Sequence, residues 1–281
     1  MKRFSSELEA AILFSRLPGI GAAEFLRQIQ KWHLPSQALN NYLAQRPTEL
    51  SLQSQKKTLA EELLGKTLEK LSSGLIFGCY CGQKEYPVSM LDLSEPPPVL
   101  FSTCNDLPVK MAAVIGSRRP DAEAEESVAQ IVRVLGAAGY AILSGGATGI
   151  DSLAHQNALE FGIPTYAVLG CGVDVVYPAR NARLFEQIKK DGGLVSELLC
   201  GAKPRRSFFP TRNRLIAALA EIVVIIQAGE SSGSLITARW AGKLGRRLLV
   251  KKKSLPADFR WHGSDMLINE GAESFKNNFG L

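Results

Sequence analysis

The spacing of hydrophobic positions changes near residue 73 and divides the chain into two parts. In residues 1–73 apolar side chains recur at helical intervals, and Leu8, Ile12 and Leu13 fall on one face of a helix expected over Glu7–Arg16, which Ser6 would cap. Further helices are expected over Ala22–Trp32, Pro35–Gln45 and Leu59–Leu71. No strand pattern of comparable strength occurs here, so the sequence predicts a small all-helical domain over residues 1–73.

From Gly74 onward, short apolar runs bounded by Gly, Ser or Pro alternate with helix-length segments. The expected strands are Val99–Ser102, Ala112–Gly116, Ala141–Gly145, Thr165–Gly170, Leu194–Ser196, Ile222–Ile226 and Arg247–Val250. The expected helices are Ala122–Ala138, Asp151–Phe161, Ala182–Lys190, Thr211–Ala220 and Ser234–Leu244. Strands that are apolar throughout are typical of a parallel sheet covered by helices on both faces. Residues 74–281 are therefore predicted to form a doubly wound, mostly parallel α/β domain.

Composition excludes several classes of protein. With 46% hydrophobic and 21% charged residues among 281, the chain is neither disordered nor fibrous. Leu215–Ala228 is its nearest approach to a membrane span, but this run is too short and contains Glu221. Glu7 and Glu9 stand where a signal peptide would have its apolar core. The five cysteines, an odd number, favour reduced thiols in the cytoplasm.

The net charge of +6 is unevenly distributed along the chain. Residues 201–253 contain twelve Lys or Arg and two Asp or Glu, whereas residues 74–200 contain nine and fourteen. A basic stretch of this kind indicates a polyanionic partner or a ligand that carries phosphate. The alternative is that these charges lie on separate solvated faces.

Four of the predicted strands are followed by small, glycine-rich or serine-rich loops. These loops are Gly116–Pro120, Ser144–Asp151, Gly170–Gly172 and Gln227–Ser234. Ligands of an open parallel sheet bind beyond the carboxyl ends of its strands, and glycine allows backbone amides to approach an anion. The pattern favours phosphate binding over tight packing alone. No loop matches a Walker A or G-x-G-x-x-G sequence, which disfavours nucleotide hydrolases and ordinary dinucleotide dehydrogenases.

The segment Lys203–Arg214 places cations beside two adjacent aromatic residues, Phe208 and Phe209. Its cations are Lys203, Arg205, Arg206, Arg212 and Arg214. Proteins that bind single strands neutralise phosphates with cations and stack bases on aromatic rings. Alternatively, one Phe is a core anchor and Arg212 or Arg214 pairs with a carboxylate. Both interpretations stand at this point.

Leu17–Gly21 separates two expected helices and has the form of a helix-hairpin-helix turn. The amides of such a turn can bind a DNA phosphate, but the same turn also serves only to pack two helices.

The sequence shows no catalytic constellation. His33, His155 and His262 are far apart, and Asp151, four residues before His155, is expected to cap a helix. Cys79 and Cys81 lack a second pair of ligands at zinc spacing. We therefore expect no catalytic residue, no metal and no cofactor.

Several of these motifs together resemble the bacterial DNA-processing protein A family (DprA, also called Smf). The resemblance covers roughly residues 85 to 275, in order. It is carried by Ile115–Pro120, Ser144–Asp151 with Ala154 and His155, Tyr177-Pro178 with Asn181, Phe209–Ile216 and Ser232–Arg239. Leu17–Gly21 also fits the helical, SAM-like N-terminal domain of such proteins.

The resemblance implies an extended Rossmann-like domain that binds single-stranded DNA without turnover. It also implies protection of incoming strands during natural transformation, help in loading the RecA recombinase, and formation of a homodimer. No membrane partner is expected. By position, Arg118 would hold a phosphate, Arg206 would take the place of a basic residue that is usually Lys, and Phe209 would stack on a base. The other expected DNA-binding residues are Ser117, Gly145, Gly146, Arg212, Ser232, Gly233 and Ser234, with Lys203, Arg205, Lys251, Lys252, Gly19 and Gly21 as secondary candidates.

Two departures from the family pattern are apparent. Lys251–Pro256 stands where the family usually has Pro-Gly after the last strand, although Gly263–Ala272 broadly keeps the pattern. Because the chain stops at Leu281, we expect the winged-helix-like C-terminal domain of many members to be absent.

Two other functions compete with DNA binding in the large domain. One is a Rossmann-like nucleotide or nucleoside-monophosphate hydrolase related to the lysine decarboxylase-like proteins. Those carry a Pro-Gly-Gly-x-Gly-Thr-x-x-Glu loop, whereas Ala228–Thr237 has no Glu at its helix start. The other has the N-terminal domain binding DNA and the large domain acting as a protein-docking scaffold.

Overall fold

A computed structural model describes residues 5–45, 54–254 and 258–276. Leu255 and Pro256, in the first departure from the family pattern, and Leu281, in the second, lie outside the described residues. Contacts divide the chain into two compact units. The first combines Met1–Asp106 with Cys171–Val175 and Val195–Lys203, and the second combines Leu107–Gly170, Val176–Leu194 and Pro204–Leu281.

Among the described residues, the first unit contains four α-helices and two complete strands. Its elements are α1 (Ser6–Phe14), α2 (Ala22–Trp32), α3 (Pro35–Gln45), α4 (Ser54–Ser72), β1 (Phe77–Tyr80) and β2 (Val99–Ser102). The helical character expected of the N-terminal part is confirmed. The cap of α1 is Ser5 rather than Ser6, because Oγ of Ser5 accepts a hydrogen bond of 3.1 Å from the Leu8 amide. Strand β1 pairs antiparallel with β2, and sequence analysis missed it because its four residues show neither alternation nor a continuous apolar run.

The second unit is built on a parallel sheet. Its strands are β3 (Met111–Gly116), β4 (Ala141–Ser144), β5 (Thr165–Val168), β7 (Ile222–Ile226), β8 (Arg247–Lys251) and β9 (Glu273–Phe275), whereas β6 (Gly192–Ser196) runs from this unit into the first. The six strands follow the order β5-β4-β3-β7-β8-β9, and all neighbours are parallel. Val195 and Ser196, in the first unit, pair antiparallel with β2.

Helices flank this sheet on both faces. They are α5 (Ala122–Ala137), α6 (Ile150–Glu160), α7 (Ala182–Asp191), α8 (Phe208–Leu219), α9 (Ser234–Lys243) and α10 (His262–Asn269). Helices α5 and α6 pack on one face, where Val114, Ile142 and Val224 point into a buried cluster that also contains Trp261. Helices α8 and α9 pack together against β3, β5, β7 and β8. The predicted doubly wound, mostly parallel α/β fold is confirmed.

In the second unit, the starts of α6 and α8 differ from expectation, and in the first unit α1 begins one residue and α4 five residues earlier than expected. Helix α8 begins at Phe208 rather than Thr211, since Pro210 in the first turn needs no amide partner and is compatible with helix. The cap of α6 is Gly149, at φ +77°, rather than Asp151, which lies in the first turn and accepts a hydrogen bond of 3.2 Å from the Ala147 amide. Within the described ranges, no helix combines the length and the apolar composition needed to cross a membrane.

Candidate functional site

A cleft of about 1040 Å³ opens at the carboxyl ends of β3 and β7. The strand order reverses here: the chain proceeds from β3 outward through β4 and β5, then returns to place β7 on the other side of β3. Ligands of open α/β sheets bind at this kind of reversal, because the two flanking loops diverge and leave a crevice. All residues that line the cleft belong to the second unit.

The loop after β3 brings two arginines to the cleft on a fixed backbone. Arg118 and Arg119 are exposed and line the cleft. The Ser117 hydroxyl accepts a hydrogen bond of 3.1 Å from the Arg119 amide. The Ser117 carbonyl oxygen accepts one of 3.0 Å from the amide of Ile150, at the start of α6. A Cβ at Gly149 would lie 2.3 Å from that carbonyl oxygen, so only glycine allows this approach. The loop therefore presents exposed cationic side chains from a hydrogen-bonded backbone.

The first turn of α8 supplies an aromatic ring beside a cation. Arg206 is exposed and lines the cleft together with the half-buried Phe209. The Phe209 ring packs against Tyr177, with ring centroids 5.4 Å apart and planes inclined by 36°. Its inner side lies over Gly170, where a Cβ would stand 2.9 Å from ring Cδ1. The ring is thus held in position while part of it faces the cleft.

Arg212, expected to contact DNA, is held within the unit. Its side chain is 6% exposed, and it donates from Nη1 to the carbonyl oxygens of Gly145 (2.6 Å) and Val168, and from Nε to Asn213 Oδ1 (3.1 Å). It lines the cleft, yet these bonds commit most of its guanidinium to internal acceptors. Its expected direct contact with phosphate is corrected to a structural role at the floor of the cleft.

The glycines after β4 serve packing rather than ligand approach. A Cβ at Gly145 would lie 2.6 Å from Arg212 Nη2 and 2.7 Å from Asp151 Oδ2. A Cβ at Gly146, which has φ +67°, would lie 2.9 Å from Cε1 of Phe185. Neither glycine is among the residues that line the cleft. Their small size makes room for a buried guanidinium and a buried ring.

Asp151, which lines the cleft, and the buried His155 on the same helix do not form an acid–base pair. Burial raises the pKa of Asp151, an effect that the positive charge of Arg212 opposes. Burial also lowers the pKa of His155 to about 3, and Arg212 acts in the same direction. The His155 Nδ1 atom lies 2.7 Å from the hydroxyl of Thr165, which itself donates to the carbonyl oxygen of Ile142 at 3.1 Å. His155 is therefore a neutral, buried imidazole whose contacts are structural.

The loop after β7 contributes hydroxyl groups. Ser232 and Ser234 lie within 2.7 Å of each other through their Oγ atoms, and the Gly233 carbonyl oxygen accepts a hydrogen bond of 3.0 Å from Asn213 Nδ2. The amides of Leu235 and Ile236 donate to the carbonyl oxygens of Ser232 and Gly233. These two amides are already used by the helix start, and the hydroxyls of Ser232 and Ser234 line the cleft.

The secondary candidates lie elsewhere. Lys251 is 1% exposed and its Nζ lies 3.3 Å from Glu123 Oε1, so the secondary DNA-binding role expected of Lys251 is corrected to a buried ion pair. Arg205 stacks over the Phe208 ring at 5.7 Å, and neither Arg205 nor the exposed Lys252 lines the cleft. Lys203, Gly19 and Gly21 belong to the first unit. There the hydroxyl of Tyr42 donates to the Pro18 carbonyl oxygen in the helix-hairpin-helix turn, and Gly19 has φ +75°.

Several residues that line the cleft were not predicted as DNA-binding residues from the sequence, including Arg119, Tyr177, Glu230, Phe259, Arg260 and His262. Three of them follow β8 at Phe259–His262, outside the basic segment, and only the tertiary fold brings them to the β3–β7 crevice. An aromatic residue next to Arg was their sole local signal. Among the described residues, no group of three or more His, Cys, Asp or Glu could hold a metal ion.

The chain is similar in sequence to a family of DNA recombination-mediator proteins. The family model for DNA recombination-mediator protein A matches residues 79–279. The protein Smf of Synechocystis is 37% identical over 197 residues, an alignment that covers 67% of this chain and 49% of that protein. The chain spans about half the length of the curated relatives it matches.

Two solved structures share the fold. DprA from Streptococcus pneumoniae superposes with a TM-score of 0.79 at 28% identity, covering 97% of this chain and 95% of that one. DprA from Helicobacter pylori, whose structure concerns its single-stranded DNA binding mode, gives a TM-score of 0.63 at 31% identity over 71% of this chain and 90% of that one. With its family match spanning the whole cleft, this chain belongs to the DNA recombination-mediator protein A family.

Proposed function

We propose that the cleft binds single-stranded DNA, with an unpaired base stacked on Phe209 and the neighbouring phosphates on Arg118 and Arg206. The observation that carries this proposal is the half-buried Phe209 ring, held against Tyr177 and bordered by exposed guanidiniums in one cleft. Stacking on an aromatic face requires a base that is not paired, which selects single strands over duplexes.

The charge of the cleft supports a polyanionic ligand. Its lining includes five arginines, at positions 118, 119, 206, 212 and 260, against the two carboxylates of Asp151 and Glu230. Guanidinium groups bind phosphate by paired hydrogen bonds, and the hydroxyls of Ser117, Ser232 and Ser234 add donors. Every phosphate neutralised releases counterions, so affinity falls steeply as salt is raised.

At the level of the cell, we infer a protein of natural transformation and recombination that protects incoming single strands and helps to load RecA. It acts by binding rather than turnover, as a homodimer in the cytoplasm. Residues 1–73 form a SAM-like domain that precedes the DNA-binding domain of residues 74–281 in the sequence. Family membership and the odd number of cysteines, five, support this assignment.

Binding of a fluorescein-labelled oligothymidylate, followed by anisotropy over a salt series, tests the proposal. Arg118→Ala and Arg206→Ala are each expected to weaken binding by about 1–3 kcal/mol and to reduce the salt slope by about 1. Arg183→Ala is the matched control, because Arg183 is exposed on α7 and does not line the cleft.

If both variants bind the oligonucleotide with the affinity and the salt slope of the wild type, the cleft is not the DNA-binding site. Release of free base from a nucleoside monophosphate incubated with the protein would instead revive the hydrolase alternative.

A further inference from the structure

Phe259 is a large aromatic side chain left in water at the edge of the cleft. It is 75% exposed and lines the same cleft as Phe209, but it comes from the segment between β8 and α10. Single exposed apolar side chains are ordinary on protein surfaces. Phe259 differs from these because it lies in a cleft lined by guanidiniums, where an unpaired base can stack on its ring.

The backbone that carries Phe259 is fixed on both sides. The Asp258 carboxylate accepts a hydrogen bond of 2.9 Å from the Arg260 amide, and the Asp258 carbonyl oxygen accepts one of 2.8 Å from the Trp261 amide. Trp261 is fully buried and donates from its indole Nε1 to Asp121 Oδ2 at 2.8 Å. The exposed ring is therefore mounted on an anchored turn, which lowers the entropy lost when a ligand stacks on it.

A cation is held next to this ring. Arg260 donates from Nε and Nη2 to Asp258 Oδ2 at 2.8 and 2.5 Å, and its Nη2 lies 3.8 Å from Asp121 Oδ2. The Arg260 side chain is nevertheless 40% exposed and lines the cleft. The segment thus repeats the combination found at Arg206 and Phe209, an aromatic ring beside a guanidinium.

The size of the cleft leaves space for more than one nucleotide. Pockets that enclose a whole drug-sized ligand have volumes of about 300–1,000 Å³. The cleft, at about 1040 Å³, reaches the upper end of that range.

We propose that Phe259 is a second base-stacking position, so that the cleft holds two bases of one strand, one on Phe209 and one on Phe259. This inference rests on the proposed function, since it assigns a further subsite to the same ligand. Asp258 holds the partly exposed guanidinium of Arg260 next to this second position.

The test is a set of short oligothymidylates in which a single 2-aminopurine is moved through the positions of the strand. Stacking on an aromatic ring changes 2-aminopurine fluorescence, so the wild-type protein is expected to alter the signal at two positions. Phe259→Leu keeps an apolar side chain without a π face and is expected to abolish the change at one position and raise Kd about tenfold. Phe209→Leu abolishes the other, and Phe259→Tyr retains both.

Met266→Ala is the matched control, because Met266 is 42% exposed on the adjoining helix α10 and does not line the cleft. An unchanged fluorescence profile in Phe259→Leu, with wild-type Kd, overturns the proposal. A change of molar mass in light scattering without a change of profile also overturns it, because the ring then belongs to a contact between copies of the chain. Failure of the wild-type protein to bind any oligothymidylate would instead contradict the proposed function itself.

Discussion

Arg212 donates a hydrogen bond of 2.6 Å from Nη1 to the carbonyl oxygen of Gly145, and this bond joins α8 to the end of β4 beneath the cleft. Both residues are buried, and the carboxylate of the buried Asp151 lies beside them. A buried guanidinium is tolerated because carbonyl oxygens and a carboxylate satisfy it together. The guanidinium at the floor of the cleft is therefore compensated by partners within the fold, whereas the exposed cations Arg118, Arg119 and Arg206 line the cleft.

Gly145→Ala is expected to destabilise the fold by about 1–3 kcal/mol, since overpacking a filled site forces its neighbours to move. The added Cβ would lie 2.6 Å from Arg212 Nη2 and 2.7 Å from Asp151 Oδ2. Urea unfolding monitored by circular dichroism measures the change. The matched control is Gly233→Ala, where a Cβ meets nothing within 4 Å and stability should change by less than about 1 kcal/mol. Equal stability of the two variants would contradict the packing role assigned to Gly145.

Gly170→Ala is expected to weaken DNA binding without touching the ligand. Its Cβ would stand 2.9 Å from Cδ1 and 3.1 Å from Cε1 of Phe209, so the ring must shift from its present position. Loss of stacking is worth about 1–3 kcal/mol, and a displaced ring should lose a part of it. Anisotropy with labelled oligothymidylate measures the affinity, and the thermal midpoint should remain near that of the wild type. A variant that binds as tightly as the wild type would show that the Phe209 position is not needed.

The free energy of unfolding should fall as the pH is lowered from 7 to 5, and protonation of His155 in the unfolded chain should account for part of this fall. Its folded pKa of about 3 lies below the ordinary value of 6.5, so only the unfolded chain takes up a proton in this range. The stabilisation is complete above pH 6.5 and is lost as the pH falls toward 3. The loss amounts to about 2 kcal/mol between pH 7 and 5. Urea unfolding of wild type and His155→Gln at both values isolates it, and identical pH dependence in the two proteins would contradict this assignment.

Glu123→Gln should destabilise the protein more than Lys251→Met. Lys251 is 1% exposed whereas the Glu123 side chain is 25% exposed, so losing the carboxylate charge leaves a buried ammonium facing a neutral group. We expect about 1–3 kcal/mol for Glu123→Gln and less than about 1 kcal/mol for Lys251→Met, measured as shifts of the urea midpoint. The reverse order would show that Lys251 is not committed to this pair. Neither substitution should change the salt slope of DNA binding, because the pair lies outside the lining of the cleft.

The periodicity of apolar residues and the local chemistry of the loops predict most of the fold and part of the cleft. Apolar runs such as Ile222–Ile226 predict buried parallel strands because both of their faces are covered. Three of the four glycine-rich or serine-rich strand ends, those after β3, β4 and β7, contribute residues to the cleft, whereas Gly170–Gly172 does not. The pair Arg206 and Phe209 was recognisable because its members are three residues apart, so that one turn of chain places both at the cleft. Strands β1 and β9 could not be predicted in this way, since each has only three or four residues and no regular pattern.

Burial and long-range pairing required the tertiary structure. The sequence marks Arg206, Arg212 and Lys251 alike as cations of a basic stretch, yet Arg206 is exposed, Arg212 bonds to Gly145 and Val168, and Lys251 pairs with Glu123, 128 residues away. Phe259 likewise joins Phe209 in one cleft only through the order of the parallel strands. The sequence alone determined which residues have the chemistry to bind a strand. Which of them face the ligand depends on partners distant in sequence, because a buried charge must find its counterpart across the fold.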